Sequence, residues 1–124
     1  MSKLLTILTV DDDMINLKLL KSMLKKTESA SEIIEAGNGA EAINILKSRT
    51  DIDLILLDIV MPVMNGIEML KIVRADNSLK KVPIIVLTTD ETKKAEAIEF
   101  GADGFLMKPI RAIDLKDKIA EVLT

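Results

Sequence analysis

Leu54-Ile55-Leu56-Leu57 and Ile84-Ile85-Val86-Leu87 are apolar at every position. A strand with no polar side is covered on both faces, which is the mark of a parallel sheet held between two layers of helices. Between and around these runs the apolar period switches repeatedly from short blocks to helical spacing. Leu5-Thr6-Ile7-Leu8-Thr9-Val10 is a β-rich run that stops at Asp11-Asp12-Asp13, and Ile15, Leu19, Leu20, Met23 and Leu24 then recur on one helical face. A short strand over Glu32 to Ala36 leads through Gly37-Asn38-Gly39 into a helix carrying Ala42, Ile43 and Leu46. The run at Leu54 ends on Asp58, and a loop with Pro and Asn-Gly punctuation precedes a helix with Ile67, Leu70 and Val73. The run from Ile84 is closed by Thr88-Thr89-Asp90. A helical segment follows to Phe100, with Gly101 as its C′ cap. Phe105 to Met107 forms the last short strand, ended by Lys108-Pro109, and Leu115, Ile119, Val122 and Leu123 mark a final helix.

Five strands thus alternate with five helices. Because each crossover is right-handed, this predicts a doubly wound, three-layer α/β domain with a five-stranded parallel sheet. The 124 residues suit one domain and are too few for a (β/α)₈ barrel. No linker, repeat or low-complexity segment interrupts them, so residues 1–124 are read as a single domain.

Composition removes most catalytic chemistry. The chain has no His, Cys, Trp or Tyr, which excludes thiol nucleophiles, disulfides, Cys or His zinc sites and every triad with a histidine base. Carboxylate, lysine, arginine, hydroxyl and backbone remain. A net charge of −3 and only two Phe argue against nucleic-acid binding. No apolar stretch approaches the roughly 20 residues of a membrane span, and the start of the chain does not read as a cleavable leader. A cytoplasmic protein with protein or small-ion partners is expected.

In open parallel sheets the site lies beyond the carboxyl ends of the strands. After the first strand come Asp11, Asp12 and Asp13; after the third, Asp58; after the fourth, Thr88 and Thr89; after the fifth, Lys108. Carboxylates crowded together repel each other unless their pKa values rise or a cation sits among them. Oxygen ligands suit Mg²⁺, with phosphate oxygens completing its octahedron. Lys108 adds a positive charge and Thr88 a hydrogen-bond donor, an arrangement that suits a phosphoryl group. With His, Cys and Tyr missing, a carboxylate is the best nucleophile, and Asp58 ends the most apolar strand.

Four motifs in order then carry a resemblance over essentially the whole chain: Leu8-Thr9-Val10-Asp11-Asp12-Asp13, the stretch from Leu54 through Asp58 to Asn65-Gly66, Pro83-Ile84-Ile85-Val86-Leu87-Thr88, and Gly101-Ala102-Asp103-Gly104-Phe105-Leu106-Met107-Lys108-Pro109. The chain resembles the receiver domains of two-component response regulators, and among them the stand-alone chemotaxis type. The resemblance implies a flavodoxin-like fold with strand order 2-1-3-4-5, for which the chemotaxis receiver is itself a standard example. It implies that Asp58 is the phosphoacceptor, taking a phosphoryl group from a sensor kinase phosphohistidine. Asp12 would bind Mg²⁺ directly and Asp11 through water, joined by the Asp58 carboxylate and the Val60 carbonyl. Lys108 would pair with the phosphoryl oxygens and Thr88 would hydrogen-bond one of them. Phe105 stands at the aromatic switch position, where many chemotaxis receivers have tyrosine. Pro109 matches a proline whose peptide bond is often cis, and Asp13 falls outside the metal set as a helix cap.

Such a protein is not an enzyme beyond its own phosphorylation and slow dephosphorylation. It would be a monomer with no attached output domain, acting on a downstream protein through the face of its last two helices and fifth strand. The alternatives are a relay intermediate that passes the phosphoryl group to another histidine and, from a different class, a haloacid-dehalogenase-like phosphohydrolase built on Asp11 and Asp13. A flavin carrier shares the fold, yet there is no phosphate-binding loop and no Trp or Tyr to stack on the flavin. Val60 and Asp90 occupy the positions that tune phosphate lifetime in the family, and the sequence leaves that lifetime open.

Overall fold

The structure, a computed structural model, describes residues 5–59, 61, 64–79 and 81–123. In chain order these form β1 (Leu5–Val10), α1 (Met14–Lys26), β2 (Ala30–Ala36), α2 (Gly39–Ser48), β3 (Leu54–Asp58), α3 (Gly66–Ala75), β4 (Ile84–Thr88), α4 (Lys94–Glu99), β5 (Gly104–Met107) and α5 (Ala112–Leu123). A single 3₁₀ turn, Glu91–Lys93, precedes α4. The strands are parallel and lie in the order β2-β1-β3-β4-β5, as the resemblance implied.

The pleat sorts the strand residues into two cores. Leu8, Val10, Ile55, Leu57, Ile84 and Val86 face α2, α3 and α4. Their neighbours Ile7, Leu54, Leu56, Ile85 and Leu87 face α1 and α5. Every residue of β3 and β4 is buried, and each strand is apolar up to its last residue, Asp58 and Thr88.

The helices begin where side chains replace the missing backbone acceptors of a first turn. Asp13 accepts from Ile15 N–H at 2.8 Å, and Asn38 accepts from Glu41 N–H at 2.9 Å. Asn65 and Glu68 form a reciprocal capping box at the start of α3. At the end of α4, Gly101 N–H donates to Ile98 O and Ala102 N–H to Ala97 O, with Gly101 at φ 106°. This is the Schellman arrangement, and it confirms Gly101 as the C′ residue.

The structure departs from the sequence reading at α1, at the second strand and before Phe100, and β5 begins one residue early, at Gly104. The buried face of α1 is Leu17, Leu20 and Leu24, whereas Ile15 and Leu19 are 69% and 52% exposed. Leu17, Leu20 and Leu24 follow the i, i+3, i+7 positions of one stripe, and Ile15 and Leu19 lie on its flank. The second strand starts two residues earlier than expected, at Ala30; it is an edge strand and only Ala36 is buried, so its periodicity is faint. The helical segment before Phe100 is split into a 3₁₀ turn and a six-residue α4 with Ala97 as its one buried residue.

That short helix is held at its carboxyl end by α3. Lys71 Nζ stands 4.3 Å from the centre of the Phe100 ring. Arg74 donates to Gly101 O at 2.9 Å and Val82 O at 2.6 Å, and pairs with Asp103 at 2.8 Å.

Gly66 fixes how closely α3 approaches the end of β3. A Cβ there would lie 2.4 Å from Asp58 O and 2.7 Å from Ile59 Cα, both backbone atoms that cannot swing aside. Gly66→Ala is expected to cost about 2–3 kcal/mol, measured by urea denaturation; an unchanged midpoint would show that the helix can retreat freely.

Candidate functional site

The reversal of strand order falls between β1 and β3, since the chain leaves β1 toward β2 on one side and returns to β3 on the other. Val10 pairs with Leu57 across this seam, so Asp11 and Asp58 emerge side by side. On the other flank Thr88 pairs with Met107, which puts Lys108 at the same edge. The backbone ladder continues one step further, with Asp11 N–H on Ala36 O and Lys108 N–H on Thr88 O. Register alone therefore gathers the polar ends of four strands.

Asp11, Asp12 and Asp58 each offer a carboxylate oxygen within 4.8 Å of the others. Asp11 is 1% exposed and Asp58 7%, while Asp12 faces solvent. Lys108 reaches into this group, its Nζ 3.0 Å from Asp11 Oδ2 and 3.4 Å from Asp58 Oδ1. Asp11 Oδ1 also accepts from Asp13 N–H at 2.9 Å, which turns the chain into α1. One ammonium thus faces three carboxylates. Burial, with repulsion from Asp11 and Asp12, outweighs the attraction of Lys108 and pushes the Asp58 carboxyl up to about 6 from its ordinary 3.8.

Such a donor set fits Mg²⁺: hard oxygen ligands, two of them held by buried strand ends, with an excess of negative charge that a divalent cation would neutralise. Val60, whose carbonyl the resemblance added to the set, lies outside the described residues, as do Pro62 and Val63 of the same loop.

Thr88 is fully buried at the end of β4. Its hydroxyl accepts from Asp90 N–H at 3.1 Å, so it stands beside the cluster without a hydrogen bond to Asp58. Asp90 Oδ1 is engaged by Thr92, through the backbone N–H at 3.0 Å and the hydroxyl at 2.5 Å, and serves as the cap of the 3₁₀ turn. Phe105 is half-buried on β5, opposite Val86, packed against the core under α4. The Lys108-Pro109 peptide bond is cis. Asp13 caps α1, which accounts for it without the hydrolase reading.

A cleft of about 510 Å³ opens beside Asp58 and Lys108, between α1 and the β5–α5 turn. Asn16, Leu19 and Met23 line it. Sequence reading assigned Leu19 and Met23 to the core face of α1 and passed over Asn16. The usable signal was spacing, since Asn16, Leu19 and Met23 share the helix flank nearest the strand ends.

Fold and site together define a doubly wound α/β protein with a carboxylate, lysine and threonine centre at its topological switch point. The family model described as "Response regulator receiver domain" matches residues 7–120. The chain is 37% identical to chemotaxis protein CheY1 of Helicobacter pylori over 120 residues, 94% of this chain and 95% of that protein. Chemotaxis protein CheY4 of Vibrio cholerae superposes with a TM-score of 0.87 at 32% identity, covering 98% of this chain and all of that one. CheY in the CheX-CheY-BeF3-Mg²⁺ complex from Borrelia burgdorferi gives 0.88 at 27% identity, covering 97% and 90%. The chain belongs to the response regulator receiver family, whose members are phosphorelay signalling modules and not metabolic enzymes. Among the described residues no helix is long and apolar enough to cross a membrane.

The raised carboxyl has a stability consequence. A group that holds its proton more tightly when folded favours the native state below its ordinary pKa and loses that contribution as pH rises through about 6. At pH 7.5 without divalent cations, Asp58→Asn should therefore be more stable than the parent by about 2–3 kcal/mol. The gain should shrink toward zero near pH 4. Denaturant titrations at the two pH values read this directly, and a variant less stable at pH 7.5 would contradict it.

Proposed function

We propose that the protein is a stand-alone receiver that takes a phosphoryl group onto Asp58 from a histidine kinase and signals through a changed protein-binding face. The observation that carries this is Lys108, whose ammonium lies between Asp11 and Asp58 beside the three-carboxylate cluster. An Asp58 carboxylate oxygen attacks phosphorus, the bond from phosphorus to the donor imidazole breaks, and the imidazole nitrogen keeps the electron pair. Lys108 moves from its carboxylates to the phosphoryl oxygens, and the Thr88 hydroxyl turns to donate to one of them. Asp12 and Asp58 would hold Mg²⁺ directly and Asp11 through water, and the ion would supply positive charge to offset the equatorial oxygens.

Thr88 and Phe105 couple the site to the surface. When Thr88 shifts, the half-buried Phe105 ring repacks against α4, which one end and a single buried residue secure lightly. With no tyrosine in the chain, the response is steric packing without a phenolic hydrogen bond. The output face is α4, β5 and α5, where Ile98, Met107 and Ile113 are 51%, 41% and 54% exposed. A downstream protein partner in chemotaxis is supported by the relatives, one of which is seen with CheX.

Incubation with acetyl phosphate and Mg²⁺, followed by intact mass measurement, should add one phosphoryl group per chain. Chelation should abolish it, and Asp58→Asn should remain unlabelled. Labelling that persists in Asp58→Asn would contradict the assignment.

A further inference from the structure

The two ends of α4 are held in opposite ways. At the carboxyl end, three segments of chain converge on Arg74 of α3. Its guanidinium donates to Gly101 O at 2.9 Å, to Val82 O at 2.6 Å just ahead of β4, and to Asp103 Oδ2 at 2.8 Å just ahead of β5. Asp103 closes on β4 in both directions: its carboxylate accepts from Ile84 N–H at 2.9 Å, and its own N–H donates to Ile84 O at 2.8 Å. The bare α carbon of Gly101 makes room for the arginine stem, since a Cβ there would lie 2.8 Å from Arg74 Cγ. One turn earlier on α3, Lys71 covers the Phe100 ring. These contacts gather at the amino edge of the sheet, opposite the edge that carries Asp58.

The amino end of α4 has no side-chain cap of its own. It follows the 3₁₀ turn capped by Asp90, no residue of which is buried. Asp90 N–H rests on the Thr88 hydroxyl at 3.1 Å, so this end of the helix is tied to the site by one hydrogen bond.

We propose that Arg74 is the pivot of the switch: it anchors the carboxyl end of α4 to α3, β4 and β5, so that a change at Thr88 swings the amino end and leaves the carboxyl end in place. The inference rests on Asp58 being the phosphoacceptor and on Thr88 answering to it. When the Thr88 hydroxyl turns to a phosphoryl oxygen, Asp90 N–H loses its acceptor and the turn is released. A planar guanidinium bonded to three separate acceptors resists displacement in a way that a single ammonium would not. The six residues of α4 rise about 9 Å, so a tilt of ~20° about Phe100 would carry Lys94 ~3 Å and Ile98 only about a third as far. Arg74 touches no reacting atom and is a positioning residue. The part of the output face that distinguishes the two states is then the charged amino end, Glu91 to Lys94, while the exposed Ile98 stays nearly fixed.

Amide exchange followed by NMR, with and without beryllofluoride and Mg²⁺ as a stand-in for the phosphoryl group, reads both ends of the helix. In the parent, Asp90 and Lys93 N–H should exchange about fivefold faster with the stand-in bound, while Gly101, Ala102 and Asp103 N–H hold their rates within about twofold. In Arg74→Met, which keeps the aliphatic stem, the ratio of rates with and without the stand-in should rise to about fivefold at 101–103 as well. Taking that ratio within each variant removes any general loosening. Asp103→Asn keeps an oxygen for Ile84 N–H and for the guanidinium, and should retain the parent pattern. A parent whose Gly101, Ala102 and Asp103 amides respond as strongly as Asp90 would overturn the pivot while leaving Asp58 as acceptor, whether or not Arg74→Met folds. So would an Arg74→Met chain whose response stays confined to the amino end. No response anywhere in the parent, or one that persists in Asp58→Asn, would instead overturn the underlying reading, and the pivot with it.

Discussion

The Lys108 ammonium lies 3.0 Å from Asp11 and 3.4 Å from Asp58, and with Asp12 the two acids outnumber it three to one. Buried charges of like sign are tolerated in a fold only where something offsets them. Here a single lysine offsets part of the cost, and burial first, with repulsion from Asp11 and Asp12 added, leaves Asp58 with a carboxyl at about 6. The cluster therefore favours any species that brings positive charge, and a divalent cation is the simplest such species.

Everything else in the structure serves to hold those groups in place. The apolar strands β3 and β4 are buried on both faces, and they pair in defined register with β1 and β5. Register then decides which side chains meet at the carboxyl edge: Val10 against Leu57 delivers Asp11 to Asp58, and Thr88 against Met107 delivers Lys108. Gly66 lets α3 close on the backbone of Asp58 and Ile59, where any side chain would collide. In contrast, α4 is six residues long and tied down mainly through Lys71 and Arg74 at its far end. The molecule is closely packed where it gathers charge and lightly secured at α4.

Much of this was legible from the residues. Runs such as Leu54-Leu57, short and bounded by turn residues, read as doubly covered strands, and the acids, threonine and lysine follow those strands in order. Elements with blurred signals were less readable. Ala30 and Ser31 extend an edge strand whose exposure alternates weakly, and Ile15 and Leu19 look like core residues because a one-dimensional period cannot say which flank of an amphipathic helix turns inward. Leu17 settles that question only once α1 is seen packed on the sheet. The cleft that Asn16, Leu19 and Met23 share with Lys108 depends on contacts between α1 and the β5–α5 turn, nearly 90 residues apart in the chain, and no local pattern encodes it. The same holds for Asp90, whose sequence position suggested a role at the phosphate while its carboxylate is taken up by Thr92.

If the charge surplus at the edge of the sheet is the organising constraint, a cation that binds only the folded state must stabilise it. Thermal melting at neutral pH, scanned with increasing Mg²⁺ for the parent chain and for Asp11→Asn with Asp12→Asn, tests this most directly. The account predicts a melting temperature that rises by several degrees and saturates in the parent, and a flat profile in the double variant. A parent melting temperature unmoved by millimolar Mg²⁺ would contradict it.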